Sequence, residues 1–224
     1  YAPSFKCCVL FFVYSQVLLE LREMQARPAI RSLYEQLSTA SGETLDAVRV
    51  RRLVADIDTA TGGNFDPNWR DPNKYGTCTF SCTKNGTLLH RVLQCASASR
   101  QPEQRLEIAR LFADRRADVN AKEDNNGNTP LIYAARYGHT DAARLLLDRN
   151  AAIEAKNNYW GETPLRWAAE KGRADATRVL LDRGANKQAT SNNGYAALDW
   201  AICDGHTAVA DLLKARGATR AKST

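Results

Sequence analysis

Shifted against itself, the chain gives one dominant match. NGNTPLIYAARYGHTDAARLLLDRNAAIEAKN, starting at Asn126, falls on WGETPLRWAAEKGRADATRVLLDRGANKQATS, starting at Trp160, at an offset of 34 residues. Thr129, Pro130 and Leu131 then coincide with Thr163, Pro164 and Leu165. A further step of 33 carries Gly161 to Gly194 and Ala168 to Ala201, which makes NGYAALDWAICDGHTAVADLLKARGAT a third copy. Upstream, NGTLLHRVLQCA places Thr87 42 residues before Thr129, so that copy carries an insertion, most simply Ser97–Gln104 between its two helices. A period of this length constrains the fold more than any other feature. One short helix pair cannot bury both of its faces, so each unit is stable only when stacked against others, and at least three in tandem are needed.

Each copy carries its own helix punctuation. Thr129 and Thr163 stand where a hydroxyl can accept from an otherwise unpaired amide, and Pro130 and Pro164 occupy the first helical position, where a missing N–H costs nothing. The helix that starts there carries the small pairs Ala134–Ala135 or Ala168–Ala169 and ends at Gly138 or Gly172, since a left-handed residue without a Cβ stops a helix at little cost. A second helix sets Ala143, Leu146 and Leu147, or Val179, Leu180 and Leu181, on one apolar face. It stops at Asn150, Gly184 and Gly217, residue types that tolerate positive φ. The Asn- and Gly-rich connection that follows favours a tight projecting turn.

Taken together, Gly-x-Thr-Pro-Leu, the Ala-Ala pair, the Gly-His step (Gly138–His139, Gly205–His206) and Leu-Leu followed by Gly-Ala (Gly184–Ala185, Gly217–Ala218) resemble ankyrin repeats. The resemblance runs from Asn85 to Thr219 and is strongest after Asn126. It implies an all-α ankyrin-repeat solenoid of stacked helix-turn-helix units with projecting β-turn or hairpin loops. Two departures from the pattern carry expectations. The motif's His appears only as His90, with Ile132, Arg166 and Asp199 in its place later, so the hydrogen-bond ladder along the stack should be weakened. Ala196 and Ala197 replace Thr-Pro in the last copy, so its first helix loses its cap and the carboxyl end should fray first.

The domain reading assigns 85–218 to four ankyrin-like repeats and 219–224 to a basic polar tail. Residues 24–58 are read as two amphipathic helices forming a divergent capping repeat, with a separate helical hairpin as the alternative. Ile30, Leu33 and Leu37 share one face there, and Leu45, Val48, Arg52 and Ala55 another, widened by Leu53 and Val54. The stretch 59–84, dense in Gly, Pro, Asn and Asp, reads as a long loop. Residues 1–23 form an apolar amino-terminal segment that falls short of the ~20 residues a spanning helix needs and lacks a small-x-small cleavage site. Met24, the one methionine, is the expected translation start, which would leave 1–23 outside the native protein. An ordinary helix capping the fold is the competing reading of that segment.

With 44% apolar and 25% charged residues, the composition excludes a collagen-like rod, a wholly disordered chain and a multi-span membrane protein. The net charge of +6 is concentrated at the end. Lys214, Arg216, Arg220 and Lys222 stand with no acid after Lys214, which leaves +2 before it. Binding of nucleic acid or of an acidic surface through this basic tail is accordingly a further alternative, behind protein binding. The six cysteines are too scattered for a disulfide framework, which points to a reducing compartment, the cytoplasm or the nucleus, ahead of secretion. Cys78, Cys82, His90 and Cys95 offer zinc-type ligands at a spacing that matches no standard site. Nucleophile elbows, phosphate-cradling loops and His-Glu-x-x-His are missing from the sequence, so neither catalysis nor a cofactor is expected. His139 and His206 share one repeat position and read as structural. Arg49, Arg51 and Arg52 read as a solvated face.

The resemblance implies that a protein partner binds the concave face, at the turn tips and the exposed positions of each first helix. In one copy these are Lys122, Asn125, Asn126, Asn128, Arg136 and Tyr137. In the next they are Lys156, Tyr159, Trp160, Glu162, Glu170 and Lys171, and in the last Asn192, Asn193, Tyr195, Cys203 and Asp204. Tyr137, Tyr159, Trp160 and Tyr195 should form one aromatic strip with Arg136 beside it, extended by Trp69 and Tyr75. Such residues bury large areas at modest entropic cost. The chain is expected to act as a monomeric, non-catalytic binding module. A targeting fragment of a larger ankyrin-containing enzyme or regulator is the alternative.

Overall fold

A computed structural model describes residues 47–60, 66–68, 86–94 and 102–221. The readings placed on residues 1–46, on Met24, on Trp69, Tyr75, Cys78, Cys82 and Cys95, and on the last three residues lie outside these. The described helices are α1 (Ala47–Ala60), α2 (Leu88–Gln94), α3 (Pro102–Asp114), α4 (Pro130–Tyr137), α5 (Thr140–Asp148), α6 (Pro164–Glu170), α7 (Ala174–Asp182), α8 (Ala197–Cys203) and α9 (Thr207–Ala215). The first helices pack side by side in one row, α2–α4–α6–α8, and the second helices α3, α5, α7 and α9 in another, with α1 packed on α3 at its end. Each first helix also packs on its own second helix. The segments opened by Thr129 and Thr163 are therefore direct neighbours in register, as a 34-residue period demands. Among the described residues there are no strands, only an isolated bridge from Thr190 to Ala196.

The punctuation works as its chemistry predicts. Thr129 Oγ1 accepts from the Ile132 amide at 3.4 Å and Thr163 Oγ1 from that of Arg166 at 3.3 Å. Gly138 takes φ +76°, which lets the next amide, that of His139, reach back to the Ala134 carbonyl at 2.8 Å. Arg173 to Ala168 and His206 to Ala201 repeat that bond at 2.8 Å. At the end of the second helices Asn150, Gly184 and Gly217 all have positive φ, and the following Ala151, Ala185 and Ala218 amides donate to Leu146, Leu180 and Leu213, each at 2.9 Å. Leu146, Leu180 and Leu213 are fully buried, with Ala134, Ala168 and Ala201 between the rows. Leu147 and Leu181, read as core, pack only against its edge.

Three expectations change. In α1 the buried face is Ala47, Val50, Val54 and Ile57, while Val48 is 70% exposed and Arg52 and Ala55 face solvent. The stripe that packs on α3 is thus displaced by two residues from the expected one, and of the two residues expected to widen it Val54 is buried and Leu53 half-buried. Helix α3 begins at Pro102, inside the stretch read as an insertion, because proline is well tolerated in a first turn. The last copy is not left uncapped. The Ala196 amide donates to Asp199 Oδ2 at 2.9 Å, and Asp199 also accepts from Arg220 Nε at 3.2 Å and from the Ala221 amide at 3.1 Å. A carboxylate three residues into the helix supplies half of a capping box, and it ties down the chain beyond α9.

The second-helix row carries a periodic ion-pair ladder: Arg115 to Asp58 at 3.1 Å, Arg149 to Asp114 at 2.5 Å, Arg183 to Asp148 at 2.8 Å and Arg216 to Asp182 at 2.7 Å. These pairs are partly exposed, so each contributes at most about 1 kcal/mol. Their value is positional, since they recur once per repeat. Arg51 also pairs with Glu107, joining α1 to α3 a second time.

Candidate functional site

The turn tips lock onto one another. Within each tip an amide closes the turn, Glu123 to Asn128 and Asn157 to Glu162 at 3.1 Å and Ser191 to Tyr195 at 3.0 Å. Between tips, the Asn158 amide donates to Asn126 O at 2.7 Å and the Asn192 amide to Trp160 O at 2.8 Å. The exposed Lys122 and Lys156 belong to this lattice, for their ammonium groups donate to Lys156 O at 2.9 Å and Thr190 O at 3.2 Å. Asn157, which sequence reasoning passed over, is the buried hub. Its Oδ1 accepts from the amides of Trp160 at 3.2 Å and Glu162 at 2.9 Å, and its Nδ2 donates to Glu162 Oε2 at 3.1 Å and Asn128 Oδ1 at 3.3 Å.

That lattice sorts the expected contact residues. Asn125, Asn126, Asn192, Asn193, Cys203 and Asp204 are exposed. Tyr159 and Trp160 are 65% and 43% exposed and meet edge to face at 4.7 Å, presenting an aromatic knob at a tip. The expectation of exposure fails for Asn128 and Glu162, which are 2% and 4% exposed because their polar atoms are turned into the Asn157 network. Glu170 is also largely covered, paired to Arg166 at 2.5 Å and to Lys171 at 2.6 Å. Nor do the four aromatics make one strip. Tyr137 lies half-buried on Tyr133, with ring centres 6.2 Å apart, and Tyr195 half-buried on Trp200 at 5.8 Å.

A column of alternating cations and aromatic rings runs across the first-helix row instead. Arg136 lies over Tyr137 at 5.6 Å and over Trp167 at 4.4 Å. Arg166 lies over Trp167 at 4.8 Å and over Trp200 of the next repeat at 4.2 Å. Tyr133, Trp167 and Trp200 stand 34 and 33 residues apart, so a large aromatic recurring at one repeat position was the sequence signal for this column. Arg166 is buried and pairs with Glu162 at 2.9 Å and with Glu170 on its other side. Burial lowers the Arg166 pKa, opposed by the two carboxylates. Burial likewise pushes Glu162 above the ordinary carboxyl range, outweighing the attraction of Arg166 and the Asn157 hydrogen bond.

The histidine readings resolve individually. His90 Nδ1 takes the Thr87 amide at 3.1 Å and lies 2.8 Å from Thr87 Oγ1, so Nε2 carries the proton and donates to Asn128 O at 3.1 Å. Both ring nitrogens are thereby engaged and neither is left for a metal. His206 Nε2 donates to the Glu170 carbonyl at 2.8 Å, linking adjacent repeats.

The arrangement combines exposed aromatic surface at a tip with cations lying over the rings of the first-helix row. A family model described as ankyrin repeats in three copies matches residues 50–157 and 151–222, and a comparison with curated proteins gives no match. By its repeat period, its paired helix rows and the family model that spans both, the chain belongs to the ankyrin repeat family, whose repeats are protein–protein interaction modules.

Proposed function

We propose that this chain is a non-catalytic module that captures a partner protein across its first-helix face and turn tips, acting as a monomer in the cytoplasm or nucleus. The observation that carries the reading is the Tyr159–Trp160 pair, large aromatic surface left to solvent on a turn whose backbone is hydrogen-bonded to both neighbouring turns. A surface held rigid before encounter loses little entropy on binding. The second-helix row supports it by contrast. Its solvent charges pair along each helix, Arg144 with Asp141 and Arg178 with Asp175, and among the described residues its one exposed large hydrophobic is the aliphatic Val48, with no exposed aromatic. The free, exposed thiol of Cys203 suits a reducing compartment.

Helix α1 is assigned in this reading to the second-helix position of an amino-terminal capping repeat. It packs on α3 as α3 packs on α5, and Asp58 continues the aspartate–arginine ladder by one rung.

The test is affinity capture from native lysate with the wild type and Trp160→Ala, followed by titration of the captured protein. Trp160→Ala is expected to weaken binding by about 2 kcal/mol or more with an unchanged melting temperature. Capture that is indifferent to Trp160→Ala and to Tyr159→Ala overturns the reading.

A further inference from the structure

The cation–ring column holds one arginine that no carboxylate contacts among the described residues. Arg166 is enclosed by Glu162 and Glu170, and Asp204 also adds to the field on it. Lys171 is paired with Glu170. Arg136 is different: its guanidinium carbon lies over the rings of Tyr137 and Trp167 and its charge acts on Glu162 through space, yet among the described residues no carboxylate pairs with it, and it is half-buried rather than covered. Arg173, exposed, donates its Nε to the Arg136 carbonyl at 3.2 Å and likewise pairs with no carboxylate among the described residues. Arg136 therefore stands in the ring column of the first-helix row without a contacting carboxylate, whereas the arginines of the second-helix ladder each have an aspartate.

A guanidinium stacked on rings keeps its N–H donors at its edge, in a fork that matches the two oxygens of a carboxylate. Its rotamer freedom is already spent, so pairing costs little further ordering. Resting on the proposed binding reading, we infer that Arg136 is the anchor for an Asp or Glu side chain in an acidic segment of the partner protein, a segment that also carries an apolar residue for Trp160. Arg173 has its Nε committed to the Arg136 carbonyl and Lys171 is held by Glu170, which leaves the planar fork of Arg136 as the contact and favours a carboxylate over a phosphate, which is better held by several converging cations.

The experiment is to pan a phage-displayed library of random twelve-residue peptides on the full chain. The expected result is enrichment of peptides bearing Asp or Glu together with an apolar residue. Arg136→Gln should remove the acidic preference, and Trp160→Ala the apolar one. Changing the selected carboxylate to its amide should weaken binding to the wild type at least tenfold and binding to Arg136→Gln less than twofold. Arg136→Lys, which keeps the charge but loses the fork, should recover only a minor part. Enriched peptides without carboxylates, or an acidic preference that survives in Arg136→Gln, overturns this inference while leaving the binding reading intact if Trp160→Ala still removes the apolar preference. A phosphoserine in place of the selected Glu that binds tenfold tighter overturns the choice of carboxylate. No enrichment on the wild type overturns the inference outright.

Discussion

The guanidinium carbon of Arg166 lies 4.2 Å from the ring centre of Trp200, a residue of the following repeat, and 4.8 Å from that of Trp167, its own neighbour in sequence. A buried cation thus spans two repeats at the repeat position that His90 fills earlier in the stack. His90 couples its repeat to the next through a hydrogen bond to Asn128 O and an edge-on ring contact with Tyr133, centroids 6.0 Å apart. Arg166 does so through ring contacts, with Glu162 and Glu170 supplying countercharge. Desolvated cation–ring contacts contribute about 2 kcal/mol each, so the expected weakening of the ladder is offset here by different chemistry.

The raised pKa of Glu162 gives that cluster a pH signature. The unfolded carboxyl ionises near 4.5, the folded one only at higher pH, because burial outweighs Arg166, Asn157 and Arg136. This group's contribution is therefore fully present below pH 4.5 and declines as pH rises through the raised value. Urea unfolding of the wild type and Glu162→Gln between pH 4 and pH 7 should show the wild type losing stability relative to the variant as pH increases. A difference that stays flat, or grows with pH, contradicts the assignment.

Asp199→Ala should loosen the last repeat. It removes the acceptor for the Ala196 amide and for Arg220 and Ala221, and loss of a cap costs about 1 kcal/mol. Hydrogen exchange is expected to accelerate across α8 and at Ala221 while α4 and α5 keep their protection.

Leu146→Ala should destabilise the fold by about 2–5 kcal/mol through the cavity it leaves, because the side chain is fully buried between helices. Chemical denaturation gives the number directly. A loss below about 1 kcal/mol would place this leucine outside the core.

Two glycines separate backbone strain from crowding. Gly161 and Gly205 both have positive φ, +63° and +72°, but a Cβ at Gly161 would sit 2.3 Å from Asn192 Oδ1, whereas one at Gly205 meets nothing within 4 Å. Left-handed strain costs an alanine about 1–2 kcal/mol at either site. Gly161→Ala should therefore lower the denaturation midpoint more than Gly205→Ala, and equal effects would show that the Asn192 side chain swings away freely.

The architecture was legible in the sequence because each repeat announces its own boundaries through local chemistry. Thr129 and Pro130 start a helix and Gly138 ends it using atoms within a few residues, and the 34-residue period then dictates stacking. The face of α1 was less legible, for Val48 and Val50 are equally apolar and only contact with α3 decides which is buried. The contact surface was read least well. Asn128 and Glu162 have the polarity of exposed turn residues, yet Asn157 draws both inward.

What the sequence by itself determined is the repeat: its period, its caps, its helix pairs and hence the family. What only the tertiary structure decided is which polar and aromatic side chains face a partner. That depends on hydrogen bonds and ring contacts between residues about 30 positions apart, such as Asn157 with Asn128 and Arg136 with Trp167, and no local pattern specifies a bond whose two ends belong to different repeats.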